Sequence, residues 1–595
     1  MISFVEISLK LTYLTLMFII ITGDYMCGIL GGNNSKWDYE NGIQSLYHRG
    51  PDGCRVEYLG DLVMAFSRLA IIDLSDNGMQ PMTSLDGNVT IIYNGEIYDY
   101  KALENELKKK YKFRSTSDTE VILNAYLEYG DKFIEKIDGM FAIAIYDKRT
   151  MQLKLYRDRT GIKPLYYYCR GNQFAFASEL KAIIKACTDI RWETDYTALY
   201  DYLFYGYIPD PKTVYKNCYK LAPAHTLVYD LKDNKILAIK KYWKLHVNTA
   251  KGRYRKASVL CDDLRDILSR SIKQQLIADV PVGCFLSGGV DSSVIAYESN
   301  KINPDIHTYN IGFREKDYDE SVYADLMADR YHMNHKKMIL SYRDVDNVKG
   351  NLKLWYDEPF ADTSAYPSYV VSNLAKKDVT VVVSGDGGDE LFGGYHRYSL
   401  WAETLSDKSI DNGLISRIGR NLQLSTFISD TYMKRFVNTS LENYYPYILR
   451  TDEKSIEDYR IKWNIAKDYD PYWYFKKYYK KELPIMTRGR YLDYKTYLPS
   501  DVLTKMDRVS MANSLEVRVP FLGKEVIEFA FSLSEEECCN PQELKKILKE
   551  AYEDVVPKEL LYRKKMGFSI PSVYMGRKGI PLTCKILMQE FRDIQ

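Results

Sequence analysis

The chain has 595 residues, with 82 lysines and arginines against 80 aspartates and glutamates, a net charge of +2. That length suggests about two to four domains, and 46% hydrophobic with 27% charged residues is the make-up of a water-soluble globular protein. The balanced charge lacks the basic excess of a nucleic-acid binder. Ten cysteines without paired C-x-x-C spacing point to neither a disulfide framework nor a zinc site, so a reducing cytoplasm is the expected home.

In chain order, the first feature is the apolar run Leu11–Thr22. It is too short for a membrane-spanning helix of about 20 residues, and Gly23-Asp24-Tyr25-Met26 is a poor signal-peptidase site. No membrane attachment is expected. Residues 1–26 read as a leader or a mis-assigned start, with Met26 as the working initiator. Removal of Met26 would make Cys27 the N-terminal residue. One residue then carries a thiol nucleophile and, in its own α-amino group with an ordinary pKa near ~8, the base that takes up the thiol proton.

After Cys27 come short strand patterns and two helices. Ser67–Asp73 reads as a strand carrying Arg68, and Val89–Tyr93 as a strand ending at Asn94-Gly95-Glu96. Lys101–Tyr111 reads as a helix, and Ser117-Asp118-Thr119-Glu120 caps a second one. From Gly139 four alternating runs separated by turns predict an antiparallel meander. Residues 27 to about 205 therefore form a sheet-rich α+β domain. The turn-rich 206–250 stretch reads as the passage between domains, with a final hairpin belonging to the first.

A helix over 256–278, apolar at Leu260, Leu264, Ile267, Leu268 and Ile272, leads into Val280-Pro-Val-Gly-Cys-Phe-Leu-Ser-Gly-Gly-Val-Asp-Ser-Ser293. Strand, glycine turn and helix start together make a phosphate cradle: glycine admits close approach, and N–H groups at the helix start face the anion. Ser287, Ser292 and Ser293 add hydroxyl donors. Asp291 would repel phosphate unless a divalent cation such as Mg2+ stands between them. No lysine follows the glycines, so this is not a P-loop. Beyond it strands at 306–311, 335–340 and 379–383 alternate with helices, predicting a parallel sheet with ligands beyond the carboxyl ends of its strands. The turn Ser384-Gly385-Asp386-Gly387-Gly388-Asp389-Glu390 falls at that edge, where Asp389 could share a metal with Asp291. Two further pieces are 501–522 and the basic run Arg563-Lys564-Lys565.

Taken together, these motifs resemble known families. Cys27-Gly28-Ile29, His48-Arg49-Gly50-Pro51-Asp52, Arg68-Leu69-Ala70-Ile71, Asn94-Gly95-Glu96, Ser117-Asp118-Thr119-Glu120 and Asp158–Leu165 resemble, in order, the class II glutamine amidotransferase domain. The second half, from about Leu260 to Pro571, resembles the synthetase domain of glutamine-hydrolysing asparagine synthetase, an ATP pyrophosphatase. The resemblance implies an α+β N-terminal-nucleophile hydrolase domain, an αββα sandwich, over 27–245. An α/β parallel-sheet ATP-pyrophosphatase domain is implied over 246–595. It implies Cys27 as nucleophile and a glutamine site of Arg68, Leu69, Ala70, Ile71, Ile72, Asn94, Gly95, Glu96 and Asp118. Arg68 would pair with the substrate carboxylate and Asp118 with its ammonium, while Asn94 and Gly95 would hold the oxyanion. ATP and its pyrophosphate would be bound by Leu286, Ser287, Gly288, Gly289, Asp291, Ser292, Ser293, Ile311, Ser384 and Gly385, with Mg2+ on Asp291 and Asp389. Asp386 and Lys565 would be catalytic.

The implied reaction converts aspartate to asparagine through a β-aspartyl-AMP intermediate. Glutamine and ATP are consumed, and glutamate, AMP and pyrophosphate are released. Small-molecule substrates are the expected partners, without nucleic acid or membrane, and a homodimer is left open. Two other readings stand beside this one: a sibling enzyme amidating another carboxylate, such as a uronic-acid sugar, and a catalytically silent binding or regulatory relative. Asp386 stands where some relatives carry Glu. Gly523 stands where they often carry Asp, which bears on the acceptor pocket. After Pro571 the chain departs from the family.

Overall fold

The computed structural model describes residues 27–50, 52–349, 351–406, 453–563, 567, 570, 571 and 574. The expected leader and Lys565 lie outside them. The N-terminal domain holds two six-stranded sheets. One has the order β10-β8-β9-β1-β3-β2, from β1 (Gly28–Gly32), β2 (Gly53–Leu59), β3 (Leu62–Arg68), β8 (Tyr166–Arg170), β9 (Gln173–Ala177) and β10 (Cys218–Lys220). The other has the order β12-β11-β7-β6-β5-β4, from β4 (Met82–Thr83), β5 (Val89–Tyr98), β6 (Asp138–Asp147), β7 (Gln152–Arg157), β11 (His225–Asp230) and β12 (Lys235–Lys241).

The period-two alternation of β6 shows why the sheets stack. Phe141, Ile143 and Ile145 join a cluster with Val121, Ile122 and Ala125 of helix α2 (Asp118–Tyr129). Ala142, Ala144 and Tyr146 face the other sheet, beside Ile29 and Phe66. On the far side α1 (Tyr39–Gln44) and α3 (Leu180–Ala186) cover the first sheet, giving the αββα order of layers.

Three local expectations change. The strand expected over Ser67–Asp73 ends at Arg68 as β3, and residues 69–73 form a loop. The four runs after Gly139 are two hairpins, β6–β7 and β8–β9, placed in different sheets. The hairpin edges are equally apolar, so the alternation that marks strands carries no record of which sheet receives them. Asn94-Gly95-Glu96 is not a strand end but lies inside β5, paired with Ala142, Phe141 and Met140 of β6. The Ser117 cap forms as expected, its hydroxyl accepting from the Thr119 N–H at 3.2 Å.

The C-terminal domain is a five-stranded parallel sheet. It holds β13 (Val282–Phe285), β14 (His307–Phe313), β15 (Asn334–Leu340), β16 (Val381–Val383) and β17 (Glu516–Arg518), in the order β15-β14-β13-β16-β17. Helix α4 (Ala257–Gln275) precedes β13, and α5 (Val290–Ile302) follows it. The strand order reverses between β13 and β16, so the crevice beyond their carboxyl ends is the ligand position of such sheets. Both glycine turns open there. A Cβ on Gly388 would lie 2.5 Å from Asp291 Oδ1, and one on Gly385 would lie 2.9 Å from the Ser292 nitrogen. Only glycine lets the two turns touch.

Asp158, fully buried after β7, organises the loop that returns to β8. Its Oδ1 accepts from the N–H groups of Thr160 (3.0 Å), Gly161 (2.6 Å) and Ile162 (3.0 Å), and its Oδ2 from Lys163 (2.9 Å) and Phe141 (3.2 Å). Asp158→Ala is expected to destabilise this domain by about 2–4 kcal/mol, because several buried donors lose their acceptor. Urea unfolding measures this; a loss below about 0.5 kcal/mol, the level of an ordinary surface change, would contradict it.

Candidate active sites

The first site sits in the N-terminal domain where the start of β1, the end of β3 and the interior of β5 meet. Its walls include Cys27, Arg68, Leu69, Ile71, Ile72, Gln80, Tyr93, Asn94, Gly95, Glu96 and Asp118. Cys27 Sγ lies 3.4 Å from the Leu69 nitrogen, which donates to it, and 3.5 Å from the Leu69 carbonyl, to which it donates. Desolvation pushes this thiol up to about 12, with Glu516 adding to the shift and the Leu69 N–H, Arg68 and Lys163 opposing it. It is a neutral thiol at physiological pH and needs a base to act as a nucleophile.

Arg68 Nη1 donates to the Ser75 carbonyl at 2.7 Å, and Nη2 contacts the Asp73 carbonyl. Asp118 Oδ2 accepts from the Tyr93 hydroxyl at 3.0 Å and from the Ile97 N–H at 3.1 Å. Burial still lifts its carboxyl to about 6. Glu96 is pushed well above the ordinary carboxylate range by burial, against the pull of Arg518, whose Nη2 stands 3.2 Å from Glu96 Oε2. Gln80 ties the floor together, its Nε2 donating to the Tyr93 carbonyl (3.2 Å) and the Thr119 hydroxyl (3.1 Å).

Of the residues expected here, Ala70 alone stands outside the wall. Its N–H is turned to Asp52 Oδ2 at 2.8 Å. Gln80, Tyr93 and Glu516 line the pocket without having been anticipated. Glu516 reaches it from β17 of the other domain, a contact that no spacing along one chain reveals.

The second site is a cavity of about 600 Å³ beyond β13 and β16. Leu286, Ser287, Gly289, Asp291, Ser292, Ile311, Ser384, Gly385, Asp386 and Asp389 line it. Gly288 and Ser293 do not. The Gly288 carbonyl accepts from Arg563 at 2.9 Å, and Ser293 is fully buried in α5. Ser292 Oγ accepts from the Ser287 N–H at 3.1 Å and lies 2.9 Å from Ser287 Oγ, which shapes the turn.

Lys545, missed in the sequence because it looks like any helical lysine, bridges the two acids expected to hold metal. Its ammonium contacts Asp291 Oδ2 and lies 2.5 Å from Asp389 Oδ1. Burial works against its charge, yet Asp291 and Asp389 hold it above its ordinary value. Two carboxylates converging on one cation at the lip of a phosphate cradle form a donor set that suits Mg2+ bound through phosphate oxygens. Deeper in the cavity Asp386 accepts from the Ser384 hydroxyl at 2.6 Å, and burial raises its carboxyl against the pull of Lys505. Lys505 donates to Ser364 Oγ at 2.8 Å and pairs with Asp362 at 3.2 Å. Gly523 is not in this cavity. It lines a separate groove between the domains, against Ser271.

Comparison with known proteins accounts for both halves. Residues 26–243 match the family described as glutamine amidotransferase domain, and residues 263–583 match asparagine synthase. Asparagine synthetase [glutamine-hydrolyzing] 1 of Bacillus subtilis is 33% identical over 92% of this chain and 87% of its own length. Asparagine synthetase [glutamine-hydrolyzing] 3 of the same organism is 30% identical over 91% of this chain and 87% of its own. A putative asparagine synthetase of Methanocaldococcus jannaschii is 37% identical over 62% of this chain and 76% of its own.

Proposed function

Because the chain belongs to the family of glutamine-hydrolysing asparagine synthetases and is a glutamine-hydrolysing ligase, we propose that it makes asparagine from aspartate by way of β-aspartyl-AMP. The observation that carries this reading is the pairing of two sites in one body: a thiol pocket with an acidic floor, and a cradle cavity with two carboxylates at its lip.

In the first pocket Arg68 holds the glutamine α-carboxylate, and Asp118 with Glu96 accepts from its α-ammonium. Cys27 adds to the side-chain amide carbon. Asn94 Nδ2 and the Gly95 N–H stabilise the oxyanion, ammonia leaves, and water releases glutamate from the thioester. Among the described residues the only hydrogen-bond partners of Sγ are backbone groups of Leu69. In this scheme the base is the α-amino group of Cys27 itself, free in a chain that begins at that residue.

In the second cavity Ser287, Gly289 and Ser292 hold the pyrophosphate end of ATP at the N-terminus of α5. Mg2+ on Asp291 and Asp389 would neutralise phosphate charge. The aspartate side-chain carboxylate attacks the α-phosphorus and pyrophosphate leaves. Ammonia then displaces AMP at the new ester carbon, with Asp386 placed to take up the proton that the nitrogen sheds. The nine described cysteines are free thiols, which supports a cytoplasmic setting. Among the described residues no helix is long and apolar enough to cross a membrane.

With aspartate, glutamine, ATP and Mg2+, the chain starting at Cys27 is expected to yield asparagine, glutamate, AMP and pyrophosphate. Cys27→Ala should lose about 10³-fold or more of glutamine-dependent synthesis and keep synthesis from ammonia. Asp291→Asn should keep glutamine hydrolysis and lose AMP formation. Release of ADP and phosphate would contradict the scheme. A second expectation concerns pH. Asp118 binds an ammonium only when ionised, so kcat/KM for glutamine should fall on the acid side of a limb at or above pH of about 6. A limb near pH of about 4, the ordinary carboxylate value, would contradict that role.

A further inference from the structure

The glutamine pocket has a wall that its own domain does not supply. Glu516, the first residue of β17, closes it opposite Cys27 and Asp118 and is 2% exposed. The strand's alternation turns Glu516 and Arg518 to one face, with Val517 on the other. Arg518 is fully buried and grips four groups. Its Nε donates to Glu516 Oε1 at 2.6 Å, and its Nη2 stands 3.2 Å from Glu96 Oε2. Its Nη1 donates to the carbonyls of Gln275 (2.8 Å) and Ile277 (2.6 Å), at and just beyond the end of α4. A planar fork with five donors suits this task; a lysine ammonium, with three donors on one point, does not.

We propose that Arg518 is a positioning residue for glutamine hydrolysis, lent by the synthetase domain, which holds Glu96 and Glu516 side by side as the acidic wall of the glutamine pocket. The proposal rests on the reading of that pocket as the glutamine site. Its consequence is that the amidotransferase half is incomplete until β17 has docked on it.

The surrounding charges show what the clamp opposes. Glu96 faces Asp118 and Glu516, whose charges disfavour its own, while Arg518 and Lys163 favour it. Three carboxylates therefore crowd one water-poor pocket. Like charges so close do not all ionise unless a cation stands among them. Without Arg518, Glu96 holds its proton to higher pH and no longer accepts from the substrate ammonium. The ATP cavity does not feel the loss directly. The Arg518 side chain points away from it, and the contact between β17 and the cradle runs through backbone, from the Ser384 N–H to the Arg518 carbonyl at 2.8 Å.

The test uses the purified chain and its Arg518→Met, Arg518→Lys and Arg518→Met/Glu516→Gln variants, assayed for glutamine hydrolysis against pH and for asparagine synthesis from ammonia. Arg518→Met is expected to raise KM for glutamine about tenfold or more at neutral pH and to move the acid limb of kcat/KM upward by about one unit. Synthesis from ammonia should stay within about twofold, inside the range of a change that leaves a site intact. Arg518→Lys should fall between Arg518→Met and wild type. Glu516→Gln added to Arg518→Met should bring the limb back down, because one repelling charge is gone. An unshifted limb and KM in Arg518→Met would overturn the assignment alone. So would equal loss of both activities in Arg518→Met and Arg518→Lys, which would make Arg518 a residue of the fold. A wild-type chain that makes asparagine from ammonia but hydrolyses no glutamine would overturn the reading of the pocket, and the assignment with it.

Discussion

A small lattice of buried ions across the domain boundary sets the geometry of everything else. Arg49, fully buried, forks onto Asp507 of helix α6 (Leu503–Met511), its Nη1 2.8 Å from Oδ2 and its Nη2 2.9 Å from Oδ1. The same Nη1 donates to Glu179 at 2.7 Å, and Nε donates to the Cys27 carbonyl at 3.3 Å. Arg508 continues the lattice to Glu179 (2.8 Å) and Asp357 (3.3 Å). Burial alone would raise Glu179, but Arg508, Lys181, His48 and Arg49 hold it well below the ordinary carboxylate range. Buried ion pairs add little net stability, because charges that separate regain their water. Their effect here is on register. A shift of one domain against the other would strand a charge without partner or solvent, which costs about 3–5 kcal/mol. Apolar contact supplies the adhesion: Leu69 and Ile71 beside the thiol pack on Val381 and Met511 of the other domain.

The lattice and the two reaction sites share the same elements. Lys505 and Asp507 lie two residues apart and so on opposite sides of α6. Lys505 lines the cavity beyond β13 and β16, and Asp507 holds the arginine behind Cys27. Strand β17 repeats the pattern, Glu516 closing the thiol pocket and its backbone bonding the cradle turn at Ser384. The loop after β3 is fixed likewise, since the Asp279 N–H donates to the Ile71 carbonyl at 3.0 Å and Asp279 Oδ2 accepts from the Asp73 N–H at 2.9 Å. Asp279 lies just before the strand that ends in the cradle. A nucleophile and an acceptor cavity built on shared walls cannot drift apart, which is the condition for handing over a reactive nitrogen.

What the sequence disclosed and what it withheld follow from the range of each interaction. Strand–turn–helix at 282–302 and the cap at Ser117 are local, and both were legible from neighbouring residues. The cradle residues Ser287, Asp291 and Ser292 were legible too, because glycine spacing encodes a backbone path. The hairpins after Gly139 were visible as strands but not as members of two sheets, since pairing is decided by packing far along the chain. Asn94-Gly95-Glu96 looked like a strand end and proved to be strand interior, because β5 and β6 pair over ten residues. Glu516 and Arg518 fell in the 501–522 stretch that the sequence singled out, yet neither they nor Lys545 showed a role. Each acts on a residue at least 250 positions away, and a lysine or glutamate in a helical or extended run reads as a solvated charge until its partner is known.

The claim that the Arg49–Asp507 pair sets the register is tested most directly by a double-mutant cycle on unfolding free energy. Arg49→Met and Asp507→Leu would be made singly and together. Each single change leaves a buried charge unmatched and should cost about 3–5 kcal/mol, while the double variant should recover about 2 kcal/mol or more of the summed loss. Losses that add to within about 0.5 kcal/mol would show that the two residues act independently and would contradict the account.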